Sequence, residues 1–282
     1  MRVGILGFGA LGGLYAHYFS GSPDAEVFFI ASGKRYERLK NNPLTVNGRL
    51  LDLPVERAGD SSGVGRPATA GKDTGTGGTA KPADLLIVAV KHHQLGAAIE
   101  DARSHVGAST IILSVMNGIE SEETIAAAFG DEHLLYAVAL GMDAVRNGSS
   151  VTFTTPGRLL VGRAHNDEAS QRGEGDADLA RVQLLCEDSQ LPWETPGDMI
   201  RSLWWKFMIN IGINQSSAIT GGTYGTFIES EDARTVLIAA MEEVIAVASH
   251  RGVNLYREDI DRFVEEILPS MSREGKTSML QD

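Results

Sequence analysis

The chain has 282 residues, a formal net charge of −12 and one cysteine. That length supports one or two domains with a sizeable core. The acidic balance argues against a nucleic-acid surface, which needs a basic face, and a lone Cys186 excludes an internal disulfide or a cysteine metal cluster.

No apolar run approaches membrane-spanning length, and the chain opens on a strand pattern rather than a signal peptide. A membrane partner is not expected, and the cytoplasm is the expected compartment. Residues 1–13 read MRVGILGFGALGG, a short apolar run that ends in Gly7, Phe8, Gly9, Ala10, Leu11 and Gly12 and leads into a helical pattern. Strand, tight glycine turn and helix N-terminus in that order form the dinucleotide fingerprint in its required context. Gly7 would permit the turn, Gly9 the approach of a diphosphate to bare backbone, and Gly12 close packing of helix on strand. The bland alternative is a purely structural glycine turn.

A second apolar strand follows at 27–31. An NAD site usually places Asp or Glu at the tip of that strand, about twenty residues past the fingerprint. Ser32 stands there instead, followed by Gly33, Lys34 and Arg35. A hydroxyl and two cations favour NADP (as NADPH) over NAD, unless Lys34 and Arg35 merely open the next solvated helix.

Further strands are expected at 84–90, 110–115 and 134–140, and together with the amphipathic segments between them they make an α/β doubly wound parallel sheet, Rossmann-like in type. Residues 59–81 and 164–176 are polar and read as loops. A helix at 177–188 and a short strand at 192–194 follow. Beyond Pro196 and Gly197 the pattern turns helical: a segment around Lys206, a helix over 232–251 closed by Gly252, and another over 257–268 stopped by Pro269. The expected division is therefore residues 1–198 for the cofactor domain and 199–282 for an all-helical C-terminal domain.

Lys206 lies in an apolar run, with Asn210 and Asn214 four and eight residues on. On an α-helix the three share a face about 80° wide. A buried ammonium needs a partner or a task; the competing reading is a helix seam whose lysine reaches water. Lys91 and Asn117 follow predicted strands on the side where open α/β sheets bind ligands. His92 and His93 lack a spaced third ligand, so no metal is expected.

The segments GFGALGG, VAVKHHQ, VMNGIE, LWWKFMINIGIN and TSMLQD occur in this order across the whole chain and resemble the ketopantoate reductase (2-dehydropantoate 2-reductase) family. The resemblance implies NADPH-dependent reduction of 2-dehydropantoate to (R)-pantoate on the way to pantothenate and coenzyme A. It implies Lys206 as catalytic residue, Asn210, Asn214 and Ser278 as substrate contacts, and Lys91 and Asn117 as ligand contacts at the strand ends. The arginine that many members carry at the second strand tip is Ser32 here, which leaves its role to Lys34 or Arg35. Members continue past SMLQD into helices that carry a further active-site glutamate, so the resemblance implies a helical domain truncated at its C-terminal end.

The chemistry agrees with the residues taken alone. Hydride delivered to a ketone leaves charge on oxygen, which Lys206 could neutralise as an acid; burial among Trp204, Trp205 and Phe207 would ease release of its proton. The expected partners are a small 2-oxo acid and, as an open option, a second copy of the chain. Two other functions stay open: reduction of a different 2-oxo acid, or a non-catalytic NADPH-binding regulator.

Overall fold

The structure is a computed structural model that describes residues 1–59 and 81–281. Apart from its two end residues, the predicted loop at 59–81 lies outside the described residues. The chain forms two compact units, Met1–Met116 with Glu120–Met199, and Asn117–Ile119 with Ile200–Asp282.

In the first unit the strands are β1 (Arg2–Leu6), β2 (Glu26–Ala31), β3 (Thr45–Val46), β4 (Arg49–Leu50), β5 (Val55–Arg57) and β6 (Leu85–Val88), then β7 (Ile111–Ser114), β8 (Leu134–Leu140), β9 (Val145–Asn147), β10 (Ser150–Thr152), β11 (Arg158–Gly162) and β12 (Trp193–Glu194). Eight of them form one sheet in the order β12-β11-β8-β7-β6-β1-β2-β5. From β5 to β8 all neighbours are parallel; β11 runs antiparallel to β8. Strands β1, β6 and β7 are buried along their whole length, as a sheet covered on both faces requires.

The period-two alternation of the strands sorts their side chains between the two faces. Val3, Ile5, Val27, Phe29, Leu85 and Ile87 pack with Leu14, Tyr15 and Phe19 of α1 (Ala10–Phe19). Leu6, Phe28, Ile30, Leu86 and Val88 pack with Leu95, Ala98 and Ile99 of α3 (Leu95–Ala102). Helix α2 (Gly33–Asn41) follows β2, and α4 (Ser121–Phe129) follows β7. The chain passes from β1 to β2 on one side, whereas β6 lies on the other, so the order reverses at the carboxyl ends of β1 and β6. Dinucleotides bind at such a switch point.

A second sheet, β4-β3-β10-β9, was not anticipated from the sequence, because its strands are two or three residues long and mostly exposed. Its Val151 sits so close to α1 that a Cβ on Gly13 would lie 2.7 Å from Val151 Cγ2. The predicted loop at 164–176 contains a short helix, α5 (Glu168–Gln171), whose cap Asp167 accepts from Ser170 N–H at 2.8 Å. Helix α6 (Ala177–Asp188) starts where Asp176 accepts from the N–H groups of Asp178 and Leu179, each at 3.0 Å.

The second unit is helical: α7 (Met199–Ile209), a π-helical turn Asn210–Gln215, α8 (Ser216–Thr220), α9 (Tyr224–Glu229), α10 (Glu231–His250), α11 (Arg257–Arg262) and α12 (Ser278–Gln281). Trp204, Met208, Ile213, Phe227, Leu237, Met241 and Phe263 make its core. Helix α10 is capped by Ser230, which accepts from Ala233 N–H, and it stops before Gly252, whose φ of 72° suits a residue without Cβ. The helix expected over 257–268 changes character: after α11 it continues as a π turn, Phe263–Ile267, and a 3-10 turn, Leu268–Ser270, that accommodates Pro269. Arg201 reaches both oxygens of the buried Asp259, at 2.7 and 2.9 Å, and so fastens α7 to α11. Among the described residues no helix is long and apolar enough to cross a membrane.

Asp176 offers a test of the first unit. Burial raises its carboxyl pKa, but hydrogen bonds from Arg163, Leu179 and Asp178 outweigh that and hold it below its ordinary 3.8. A depressed carboxylate stabilises the fold above its unfolded-state pKa, and this contribution is lost as pH falls through the folded value. Asp176→Ala is expected to lower the unfolding free energy in urea by about 1–2 kcal/mol at pH 7. The difference between variant and wild type should shrink below about pH 4.

Candidate active site

The fingerprint forms the turn its glycines demand. Gly7 has φ +100°, and a Cβ there would lie 2.6 Å from the Ala89 carbonyl oxygen, beyond the end of β6. A Cβ on Gly12 would fall 1.9 Å from the carbonyl oxygen of Gly7. Gly9 is different: its Cβ would meet only Ala89 O, at the ordinary distance of 3.6 Å. Bare backbone therefore faces open space just where α1 begins, with Gly9 as a cap that has no side chain to bind the first N–H groups. These N–H groups and the helix dipole suit the diphosphate of a dinucleotide.

Phe8, Ala10 and Leu11 complete the predicted loop, yet Phe8 can meet a ligand only through its backbone. Its ring is buried, 5.4 Å edge-on from Phe29, with the Arg146 guanidinium 5.4 Å from its centroid. Arg146 comes from the unforeseen second sheet, and nothing in its local sequence, Val145 to Asn147, linked it to residue 8. Its pKa is lowered by burial and by the charge of Arg38.

At the tip of β2 the structure adds a partner that the sequence did not reveal. Ser32 caps α2 without accepting from its N–H groups, and its hydroxyl donates to Asp101 Oδ2 at 3.0 Å. A carboxylate does stand at this tip, supplied by α3. Lys34 is exposed and Arg35 half-buried. Arg57, on the neighbouring β5, stacks 4.3 Å over Tyr36 and pairs with Glu37 at 2.8 Å. Lys91 follows β6, exposed, and opens the turn containing His92 and His93, which are exposed as well. Among the described residues no three His, Cys, Asp or Glu side chains are grouped to hold a metal.

In the helical unit Lys206, Asn210 and Asn214 are all half-buried, while Trp204, Met208 and Ile213 turn into the core. The stripe is not the regular α-helix assumed from its spacing. In an α-helix a residue four positions on overshoots one revolution by about 40°. The wider π turn at Asn210–Gln215 winds more than four residues per revolution, so the step from Asn210 to Asn214 falls short instead and offsets most of the first overshoot. Asn214 Nδ2 accordingly donates to Asn210 Oδ1 at 3.4 Å. Gly212 permits this turn to lie on α10: a Cβ there would be 2.5 Å from Met241 Cγ.

The TSMLQD segment is fastened to the same turn. Thr277 is buried, with its hydroxyl 2.5 Å from that of Ser217, and Ser217 Oγ donates to the Asn214 carbonyl at 2.9 Å. Ser278 begins α12 and is exposed. Asn117 is exposed in the loop after β7, next to Gly118 with φ +107°.

The sequence and the fold have counterparts among known proteins. Residues 3–166 match the family described as ketopantoate reductase PanE/ApbA, and residues 198–282 match the C-terminal part of that family. The chain belongs to the ketopantoate reductase family. A 2-dehydropantoate 2-reductase of Halobacterium salinarum is 24% identical over 282 residues, spanning 100% of this chain and 86% of that protein. The 2-dehydropantoate 2-reductase of Geobacter metallireducens superposes with a TM-score of 0.80 at 24% identity, over 100% of this chain and 86% of that one. A dimeric ketopantoate reductase of Staphylococcus aureus gives 0.72 at 22% identity, over 100% and 84%. A D-mandelate dehydrogenase bound to NADH and anilino(oxo)acetate gives 0.79 at 20%, over 100% and 85%. The chain is thus an oxidoreductase of this family.

The two glycines separate packing from binding. Gly9→Ala is expected to leave thermal unfolding nearly unchanged while weakening dinucleotide binding by about tenfold or more. Gly12→Ala should destabilise the fold itself, by about 1–3 kcal/mol, because backbone must move. Calorimetric titration with cofactor alongside thermal melts would separate the two outcomes.

Proposed function

We propose that this chain reduces the ketone of 2-dehydropantoate to (R)-pantoate with NADPH, and that Lys206 is its general acid. The observation that carries this reading is the half-buried stripe of Lys206, Asn210 and Asn214, drawn into line by the π turn and linked from the Asn214 carbonyl through Ser217 to Thr277 of the closing segment. The first unit is the cofactor domain in this reading, and the second supplies the catalytic residues.

The bare backbone at Gly9 and the start of α1 fits a dinucleotide diphosphate, and Lys34 and Arg35 are the cations for a 2′-phosphate. When bound, NADPH supplies the hydride. Lys206 donates a proton from Nζ to the ketone oxygen as charge develops there, and hence need not leave an alkoxide in a half-buried site. Asn210 and Asn214 bind the hydroxyl and carboxylate of the substrate without changing charge themselves. Lys91, Asn117 and Ser278 contribute donors to substrate or cofactor, and the exposed hydroxyl of Ser278 and amide of Asn117 are accessible for this. A homodimer in the cytoplasm completes the proposal; the S. aureus enzyme of similar fold is described as dimeric.

A second reading draws on the D-mandelate dehydrogenase of similar fold: a reductase for a 2-oxo acid other than 2-dehydropantoate. Consumption of NADPH, followed at 340 nm with 2-dehydropantoate and a panel of other 2-oxo acids, decides between them. Lys206→Ala should lower kcat by about 10² or more while the Kd for NADPH stays within about twofold of wild type. Wild-type turnover in that variant would remove Lys206 from the mechanism. Tight cofactor binding without turnover of any 2-oxo acid would mark a non-catalytic NADPH-binding regulator instead.

A further inference from the structure

The tip of β2 carries a charge that does not come from β2. In dinucleotide-binding sheets, the residue about twenty positions past the fingerprint reads the adenosine ribose, and a carboxylate there accepts the 2′-hydroxyl of NAD. Here that position is Ser32, and Ser32 Oγ donates to Asp101 Oδ2 at 3.0 Å. A serine at a helix N-cap ordinarily accepts from the N–H of the second or third helical residue. Ser32 caps α2 with no such bond, so its hydroxyl is committed to Asp101 rather than to the helix.

The position of Asp101 is built in rather than left to a mobile surface side chain. It precedes a 3-10 turn, Arg103–His105, that is fastened to β5, the strand paired with β2. The buried His105 has Nε2 3.1 Å from Glu56 Oε2 and Nδ1 3.0 Å from Ser104 Oγ. Ser104 Oγ in turn accepts from Gly59 N–H at 3.4 Å, just past β5. Glu56 and Arg57 of β5 are in register with Ile30 and Ala31 of β2, so these bonds hold the end of α3 beside the ribose-reading tip. Arg103 does not neutralise Asp101 from the same turn; its guanidinium makes two hydrogen bonds of 2.9 Å to Glu100.

We propose that Asp101 is a cofactor-specificity residue: held by Ser32, it accepts the adenosine 2′-hydroxyl of NADH and opposes the 2′-phosphate that Lys34 and Arg35 attract. This rests on the reading of the first unit as an NAD(P)H domain. Ser32 thus has a carboxylate from α3 bound to it and two cations of α2 two and three residues further along the chain, and the discrimination between the cofactors is narrow in this proposal. A carboxylate accepting from a hydroxyl is a charge-assisted bond, which loses its charge in the amide isostere while the shape is kept.

Equilibrium binding of NADH and of NADPH, read by calorimetric titration on the whole chain, tests this directly. Wild type is expected to bind both with Kd values within about tenfold of each other. Asp101→Asn should weaken NADH and strengthen NADPH, moving the ratio of Kd values by about tenfold. Ser32→Ala, which leaves the carboxylate unheld, should move the ratio the same way by a smaller factor. Thermal melts of both variants check that they fold; if Asp101→Asn does not, the Ser32→Ala ratio decides. Both cofactors binding with a ratio that neither variant moves would overturn the role of Asp101 alone. Failure of wild type to bind either cofactor would overturn the NAD(P)H reading and the role of Asp101 with it.

Discussion

Helix α1 lies against the end of β1 so closely that a single added carbon at Gly12 would stand 1.9 Å from the Gly7 carbonyl oxygen. That approach depends on Gly7 at positive φ, whose own missing Cβ leaves room for the backbone of Ala89. Three stretches of chain are thereby brought to one point: the end of β1, the start of α1 and the end of β6. The sheet order reverses between those same two strands, so backbone donors converge where a crevice already exists. Had any of these positions carried a side chain, the helix would stand away from the strand and its first N–H groups would no longer line the turn.

In the helical unit the constraint is one of winding. Lys206, Asn210 and Asn214 must share one side while Trp204, Met208 and Ile213 fill the core. A straight α-helix lets a four-residue repeat drift round its axis, by about 40° per step. The π turn takes back that drift, and it is held where Gly212 meets Met241 and where Ser217 bonds the Asn214 carbonyl. Distortions of this kind weaken regular backbone hydrogen bonding and recur at functional sites. Buried contacts on both sides keep it in place here: Met241 is fully buried, and so is Ser217.

Local features were legible in the sequence; distant partnerships were not. Residues 1–13 announce the strand, turn and helix because glycine spacing and apolar runs act within a few residues of each other. Helix α6 begins next to Asp176 and α10 ends before Gly252 for the same reason: caps are local chemistry. The polar stripe at Lys206 could be read from spacing alone, although its π turn could not, since both windings place such residues near one face. Ser32 and Asp101 are 69 positions apart, and Ser217 and Thr277 are 60 apart. Nothing in either neighbourhood encodes the other, and only the folded chain pairs them. The small sheet went unseen because strands of two or three residues carry too short an alternation to register.

A π turn is what an α-helix becomes on acquiring one extra residue without shedding its neighbours. Removing one residue between Asn210 and Asn214 would let the segment relax to an α-helix, and the helices on either side would keep nearly the same rotation, because the wider turn had already absorbed the extra residue. Ser217 would stay against Thr277, whereas Asn214 would stand three residues from Asn210 instead of four and lose its alignment with it. One extra residue therefore adjusts the spacing of the asparagines without disturbing the docking of a segment some sixty positions later in the chain.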